Sequence, residues 1–147
     1  MLPAYQALLR DFAVHVGLDA GILVETQEVV LAGIAVGLAY EGDAHGADLL
    51  YFADVGGPSP ERAPGVHKAL LEANHFWAGT GGATLGLQPE TGHVICCGSM
   101  AVPGAGGADL AQRLDAFADT LLFWQQYVAD TLPRTQALPP DLALMGA

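Results

Sequence analysis

The chain is poor in charge. Of its 147 residues only 14% are Asp, Glu, Lys or Arg, where about 25% is usual for soluble domains. Positive charge is scarcest: Lys and Arg together number five, and Lys68 is the single lysine. Nucleic-acid binding needs a basic face to neutralise phosphates, so that class of function is excluded. The two cysteines are adjacent, Cys96 and Cys97. Neighbours on a strand face opposite sides, and two thiols alone make neither a disulfide framework nor a zinc site. They read as small buried hydrophobes in a reducing compartment. Long apolar runs are missing too. The longest uncharged one, Val29 to Tyr40, holds Gly33 and Gly37 and falls short of the ~20 residues a membrane span needs. The N-terminus Met1-Leu2-Pro3-Ala4 has no basic region before an apolar stretch and meets Asp11 early, unlike a signal peptide. A cytoplasmic protein without membrane insertion is the expectation.

What remains is apolar and acidic. Hydrophobic residues make up 52%, and sixteen Asp and Glu leave a net charge of −11. Intrinsic disorder needs the reverse composition. A chain of this length fits one domain. So much apolar side chain is more than a monomer of this size easily hides, which points to an oligomer or a partner surface.

Periodicity orders the chain. Tyr5, Leu8, Leu9, Phe12 and Val16 recur at helical spacing, predicting a helix over about residues 4–17 that Gly17 stops. Leu18 to Gln27 reads as irregular, extended in part near Ile22–Val24. Glu28–Leu31 predicts a strand and Ala32-Gly33 a turn. From 34 to 40, bulky Ile34, Val36, Leu38 and Tyr40 alternate with Ala35, Gly37 and Ala39, a strand with one face of small residues. A third strand over 47–55 is apolar on both sides, Leu49 and Tyr51 against Leu50 and Phe52, so both sides should be covered. Ser59 is the expected N-cap of a second helix with Pro60 at its first position. Pro64 separates that first turn from a main helix whose apolar positions, Val66 to Trp77, end before Gly79. A hairpin follows, 83–87 and 93–102 around Pro89-Glu90-Thr91-Gly92. Leu110, Leu114, Phe117, Leu121, Trp124 and Val128, spaced 4-3-4-3-4, make the clearest helix, with Pro133 as its stop. The prediction is an α+β fold of order α-β-β-β-α-β-β-α, a twisted antiparallel sheet with helices packed on it. It forms one domain over residues 1–132, and residues 133–147 read as a tail.

No motif carries catalysis or a cofactor. Gly79-Thr80-Gly81-Gly82 resembles a phosphate loop but leads into a strand, where a phosphate cradle leads into a helix. It reads as a helix stop. His15, His45, His67, His75 and His93 are scattered without metal-ligand spacing. Gly98-Ser99-Met100 lacks the flanks of a nucleophile elbow. Asp115 and Asp119 belong to the solvated face of the last helix.

The run from Leu70 to Leu87, LLEANHFWAGTGGATLGL, with the turn Pro89 to Val94, resembles the middle of the CesT-like (Tir chaperone) family, the class I chaperones of type III secretion. The likeness covers about residues 4–131. It is specific in the centre and rests on element order at the flanks. Cys97 to Met100 stand where family members often carry charge, the 103–107 loop is unusually Gly-rich, and the tail is extra. The resemblance implies a homodimer that binds the N-terminal segment of one or a few secreted effectors in extended form, with no cofactor and no catalysis. It implies a dimer interface at Val66, Leu70, Asn74 and Trp77, supported by Leu85 and Leu87. For the effector it implies apolar grooves near the first helix and the meander, with Leu8, Phe12, Val30, Leu50 and Phe52 as candidates. Two alternatives stay open: a dimeric ligand-sensing or regulatory α+β domain, and a small enzyme using His75 or His93. A deep closed pocket favours either of them; a shallow elongated apolar groove favours the chaperone.

Overall fold

The computed structural model describes residues 2–132. The elements are α1 (Pro3–Val16), α2 (Ala20–Thr26), β1 (Glu28–Leu31), β2 (Ile34–Asp43), β3 (Gly46–Asp54), α3 (Ala63–Asn74), a 3₁₀ turn (His75–Trp77), β4 (Thr84–Leu87), β5 (Val94–Ala101) and α4 (Gly107–Ala129). The five strands form one antiparallel sheet in the order β1-β2-β3-β5-β4. The α+β class, the antiparallel sheet and the strand order along the chain agree with the sequence reading.

Alternation sorts the sheet into two unlike faces. Val36, Leu38, Leu49, Tyr51, Ala53, Cys96 and Met100 point one way and are buried. Onto them pack α1, through Tyr5, Leu8, Leu9, Phe12 and Ala13, and α4, through all six residues of its 4-3-4-3-4 stripe. The two helices cross closely at the start of α4. A methyl group at Gly107 would lie 2.5 Å from the Asp11 carbonyl carbon, so only glycine fits there. The Asp11 carboxylate accepts the Gly107 N–H, covering one of the orphan donors of the α4 N-terminus. Helix α3 buries Val66, Ala69, Leu70 and Ala73 at the β4 end of the sheet. Arg62, just before it, donates to the Tyr127 and Val128 carbonyls in the last turn of α4, both at 2.8 Å.

The structure corrects several boundaries. Leu18–Gln27 is not irregular: Ala20–Thr26 is a helix, because the Asp19 carboxylate accepts from the Ile22 N–H at 2.9 Å and so caps it. Two turns that bury only Leu23 leave little periodicity to read. The turn at Ser59 is separate from α3, as Pro64 predicted: the Ser59 carbonyl accepts from the Arg62 and Ala63 N–H groups, and α3 starts at Ala63. That helix also ends at Asn74, three residues before Trp77. Helix α4 ends at Ala129, where Asp130 turns left-handed (φ 60°). The expected stop at Pro133 and the 133–147 tail lie outside the described residues. Among the described residues the second face of β3 is not covered: Leu50 is half-buried and Phe52 exposed.

Candidate interaction surfaces

The first surface is built where α3 meets β4. The Asn74 side chain accepts from the Leu85 N–H at 2.9 Å and donates to the Leu85 carbonyl at 2.8 Å. This two-way clamp ties the helix end to the sheet edge. The chain then does something side chains resist. Phe76 (φ 52°) and Trp77 (φ 57°) are both left-handed, a conformation that costs a residue with a Cβ about 1–2 kcal/mol. The loop that follows holds them there. Gly79 N–H donates to the Ala73 carbonyl, and Thr80 N–H to the Trp77 carbonyl. The buried Trp124 Nε1–H of α4 donates to the Gly79 carbonyl at 3.1 Å. The Gly-Thr-Gly-Gly segment is thus a docked helix stop. Its strain displays two aromatics in water: Phe76 is 74% and Trp77 54% exposed. Leu71 on α3 and Leu87 on β4 are exposed with them.

The second surface is the outer face of the sheet. Val30 is 68% exposed. Phe52 lies flat over its register partner Gly37, where a methyl group would sit 2.5 Å from the ring. Leu50 and Cys97 flank it, half-buried, among the small residues Ala35, Ala39 and Ser99. Among the described residues no helix covers this face. A third apolar group, Val14, Val16, Leu18 and Ile22, lies exposed around the α1–α2 junction.

The residues proposed from sequence divide accordingly. Trp77 and Leu87 stand on the first surface; Val30, Leu50 and Phe52 share the second. Val66, Leu70 and Leu85, expected at a dimer interface, are buried in the chain's own core, and Asn74 is committed to Leu85. Leu8 and Phe12, expected in an effector groove, are buried as well. An amphipathic stripe identifies residues that leave water, and here the chain's own sheet satisfies them. The exposed residues not proposed from sequence for these surfaces are Leu71, Phe76, Val14, Val16, Leu18 and Ile22. Leu71 was detectable, since it lies about 100° round the helix from Leu70. Phe76 was not, because its exposure comes from a broken helix.

Ionisable groups converge little. Among the described residues no cluster of three His, Cys, Asp or Glu side chains could hold a metal. His93 Nδ1 meets Asp54 Oδ2 at 2.8 Å at the rim of the sheet. Burial, with Cys97 beside it, pushes the Cys96 thiol up to about 12; burial and Glu41 raise Cys97. Both thiols are therefore protonated at neutral pH and poorly nucleophilic.

The family model for the Tir chaperone protein (CesT) family matches residues 7–125. The chain belongs to that family. It is a chaperone family rather than an enzyme family, and the matched region runs from α1 to the last turns of α4. Solved structures share the fold. A chain of the ExsC–ExsE complex is 22% identical with a TM-score of 0.65, over 84% of this chain and 92% of that one. A chain of the HopA1–SchA chaperone–effector complex is 15% identical with a TM-score of 0.61, over 84% and 94%. A chain of the Yersinia pestis type III secretion chaperone SycH in complex with a stable fragment of YscM2 gives 20% and 0.59, over 82% and 98%. No curated protein matches.

The strained pair makes a prediction within this CesT-family fold. Phe76→Gly removes the Cβ penalty and little buried area. It should raise monomer stability by about 1 kcal/mol, read by urea unfolding under dilute conditions. A loss of stability would show that the ring packs inside the single chain.

Proposed function

We propose that the chain is a cytoplasmic type III secretion chaperone that works as a homodimer and holds the N-terminal segment of an effector extended and soluble for export, without ATP. Residues 1–132 are its single chaperone domain, and 133–147 a tail outside it. The observation that carries the reading is a completed core beside separate apolar surfaces that the described residues leave uncovered, in a chain of a chaperone family, and two of those surfaces hold residues proposed from sequence. A second copy takes the strained face: Trp77, Phe76, Leu71 and Leu87, with Val66, Leu70 and Leu85 packed behind and Asn74 fixing the edge. The effector takes the outer sheet face at Val30, Leu50 and Phe52, with Leu8 and Phe12 holding α1 beneath.

The energetics need no nucleotide. Each well-buried Leu-sized side chain contributes about 1.5–3 kcal/mol. Ordering a disordered segment costs about 2–5 kcal/mol or more, so several side chains must seat together. The net charge of −11 per chain keeps dimers with open effector faces from associating further.

The test is purification of the tagged full chain from a host with an active secretion system, identification of the captured protein, and reconstitution with its first ~100 residues. That segment should bind one dimer with amides that still exchange rapidly, as an unfolded chain's do. Capture of a folded domain, or of no exported protein, would refute the reading.

A further inference from the structure

The outer face of the sheet begins close to the point where the chain leaves the folded domain. Helix α4 ends beside the β3–β5 rim. A methyl group on Gly56 would lie 3.9 Å from Val128 Cγ1, and the Gly56 carbonyl accepts from the Val94 N–H. Arg62 fixes that end through its bonds to the Tyr127 and Val128 carbonyls. Left-handed Asp130 then turns the chain off the helix, and the Thr131 N–H returns to the Gln126 carbonyl at 2.8 Å. Phe52 is four residues back from Gly56, about 13 Å along the strand. The apolar group at the α1–α2 junction lies at the opposite end of α4. There Asp11 of α1 meets Gly107, and the 23 residues of the helix span about 34 Å.

Register defines what the face offers. Gly37, Phe52 and Cys97 form one row across β2, β3 and β5. Two residues nearer the rim stand Ile95, opposite Asp54, and Val30, opposite Ala35. The same alternation puts Glu28, Glu41, Asp48 and Asp54 on this face, all exposed, and among the described residues no strand residue is basic. The face is an apolar strip among four carboxylates. Two copies set face to face would oppose two such sets, which like-charge repulsion disfavours.

The described residues end at Leu132, and the sequence continues over 133–147 as PRTQALPPDLALMGA. That stretch carries one acid, Asp141, and one base, Arg134, in a chain of net charge −11. Its apolar residues include Leu138, Leu142, Leu144 and Met145. Extended, it reaches about 50 Å. Rounding a sheet layer about 10 Å thick and running about 13 Å to Phe52 uses roughly half of that.

We infer that residues 138–145 of this same chain dock on its own outer sheet face and cover Val30, Phe52 and Cys97 with apolar side chains. Arg134, early in the segment, meets the carboxylates at the rim. Pro139 and Pro140 have no N–H to give to a ladder, so the contact is side chain on face and not strand on edge. Gly37 and the alanines around Phe52 let the segment approach closely. Tethering supplies an effective concentration of about 1 mM, so an intrinsic Kd of about 0.1 mM keeps the face covered about nine-tenths of the time. Any partner of that face must displace the cover, which raises its apparent Kd about tenfold. The inference goes beyond the proposed function and does not require it, because its readout is a thiol of this chain. Its failure would leave effector binding to be decided by its own experiment.

Cys97 is a native reporter, since it is half-buried on this face while Cys96 is fully buried behind it. The test labels the folded full chain with iodoacetamide at alkaline pH and separates the two cysteines by mass spectrometry. The double variant Leu142→Asp, Leu144→Asp should speed Cys97 labelling about tenfold, the uncovered fraction rising from about one-tenth to one, with circular dichroism unchanged. In methyl NMR of the same variant the Val30 and Leu50 signals should shift, and those of Val14, Ile22, Leu71 and Leu87 should not. Should that variant lose its fold, Leu142→Ser with Leu144→Ser decides through the same two readouts. Three results would overturn the inference. One is an equal labelling rate in variant and parent. Another is methyl shifts at Leu71 and Leu87, or at Val14 and Ile22, in place of Val30 and Leu50, which would seat the segment on a different surface. The third is Cys97 protection that disappears on dilution from micromolar to nanomolar concentration, which would mean that a second copy supplies the cover.

Discussion

In the homodimer proposed above, Trp77→Glu should convert the dimer to a monomer. Trp77 is half-exposed in the single chain, so the substitution leaves the core intact. Its backbone is already left-handed, and glutamate bears the same strain as tryptophan there. In a dimer closed over this face the carboxylate would be buried without a partner, a cost of several kcal/mol. Each 1.4 kcal/mol is a factor of ten in dissociation constant, so the loss should exceed 100-fold. Sedimentation equilibrium at micromolar concentration should find one species of about 15 kDa with unchanged circular dichroism. A variant that stays dimeric would move the interface elsewhere, and the outer sheet face would be the next surface to test.

Trp124→Ala should have the opposite character. Trp124 is fully buried on α4, packed against the Phe123 and Tyr127 rings at 5.3 and 5.4 Å. Large-to-small changes at such sites cost about 3–5 kcal/mol, against a total stability of about 5–15 kcal/mol. The change also strips the Gly79 carbonyl of its donor and frees the loop that holds Phe76 and Trp77 left-handed. Stability and dimerisation should therefore fall together. Trp124→Phe separates the two effects: it keeps most of the packing and loses the hydrogen bond. Urea unfolding followed by fluorescence reads both variants, since Trp77 and Trp124 are the only tryptophans. A cost below about 1 kcal/mol for Trp124→Ala would mean that the ring does not fill the core.

Legibility followed the range of the interaction that decides each feature. The α4 stripe, the β1–β3 meander, the hairpin and the Gly17 stop all appear in the right places, because each rests on contacts within a few residues or on strict alternation. The family was legible for another reason: the Leu70–Leu87 run combines a helix end, a glycine loop and an edge strand in one segment. Helix α2 was not legible, since one cap and one buried leucine leave no periodic trace. Nor was the break at Asn74. It depends on Leu85, eleven residues on, and on Trp124 fifty residues on, and no local pattern carries that.

The candidate sites show the same division. By itself the sequence determined that this is an acidic α+β domain with more apolar side chain than its own fold absorbs, since composition and periodicity are sums over the chain. Which apolar residues are the surplus was decided only by the tertiary structure. Leu8, Phe12, Val66, Leu70 and Leu85 are consumed by the core, while Phe76, Trp77, Leu71, Val30 and Phe52 are left in water. The physical reason is that a hydrophobic side chain is surplus only relative to the neighbours it fails to meet, and those neighbours come from distant parts of the chain.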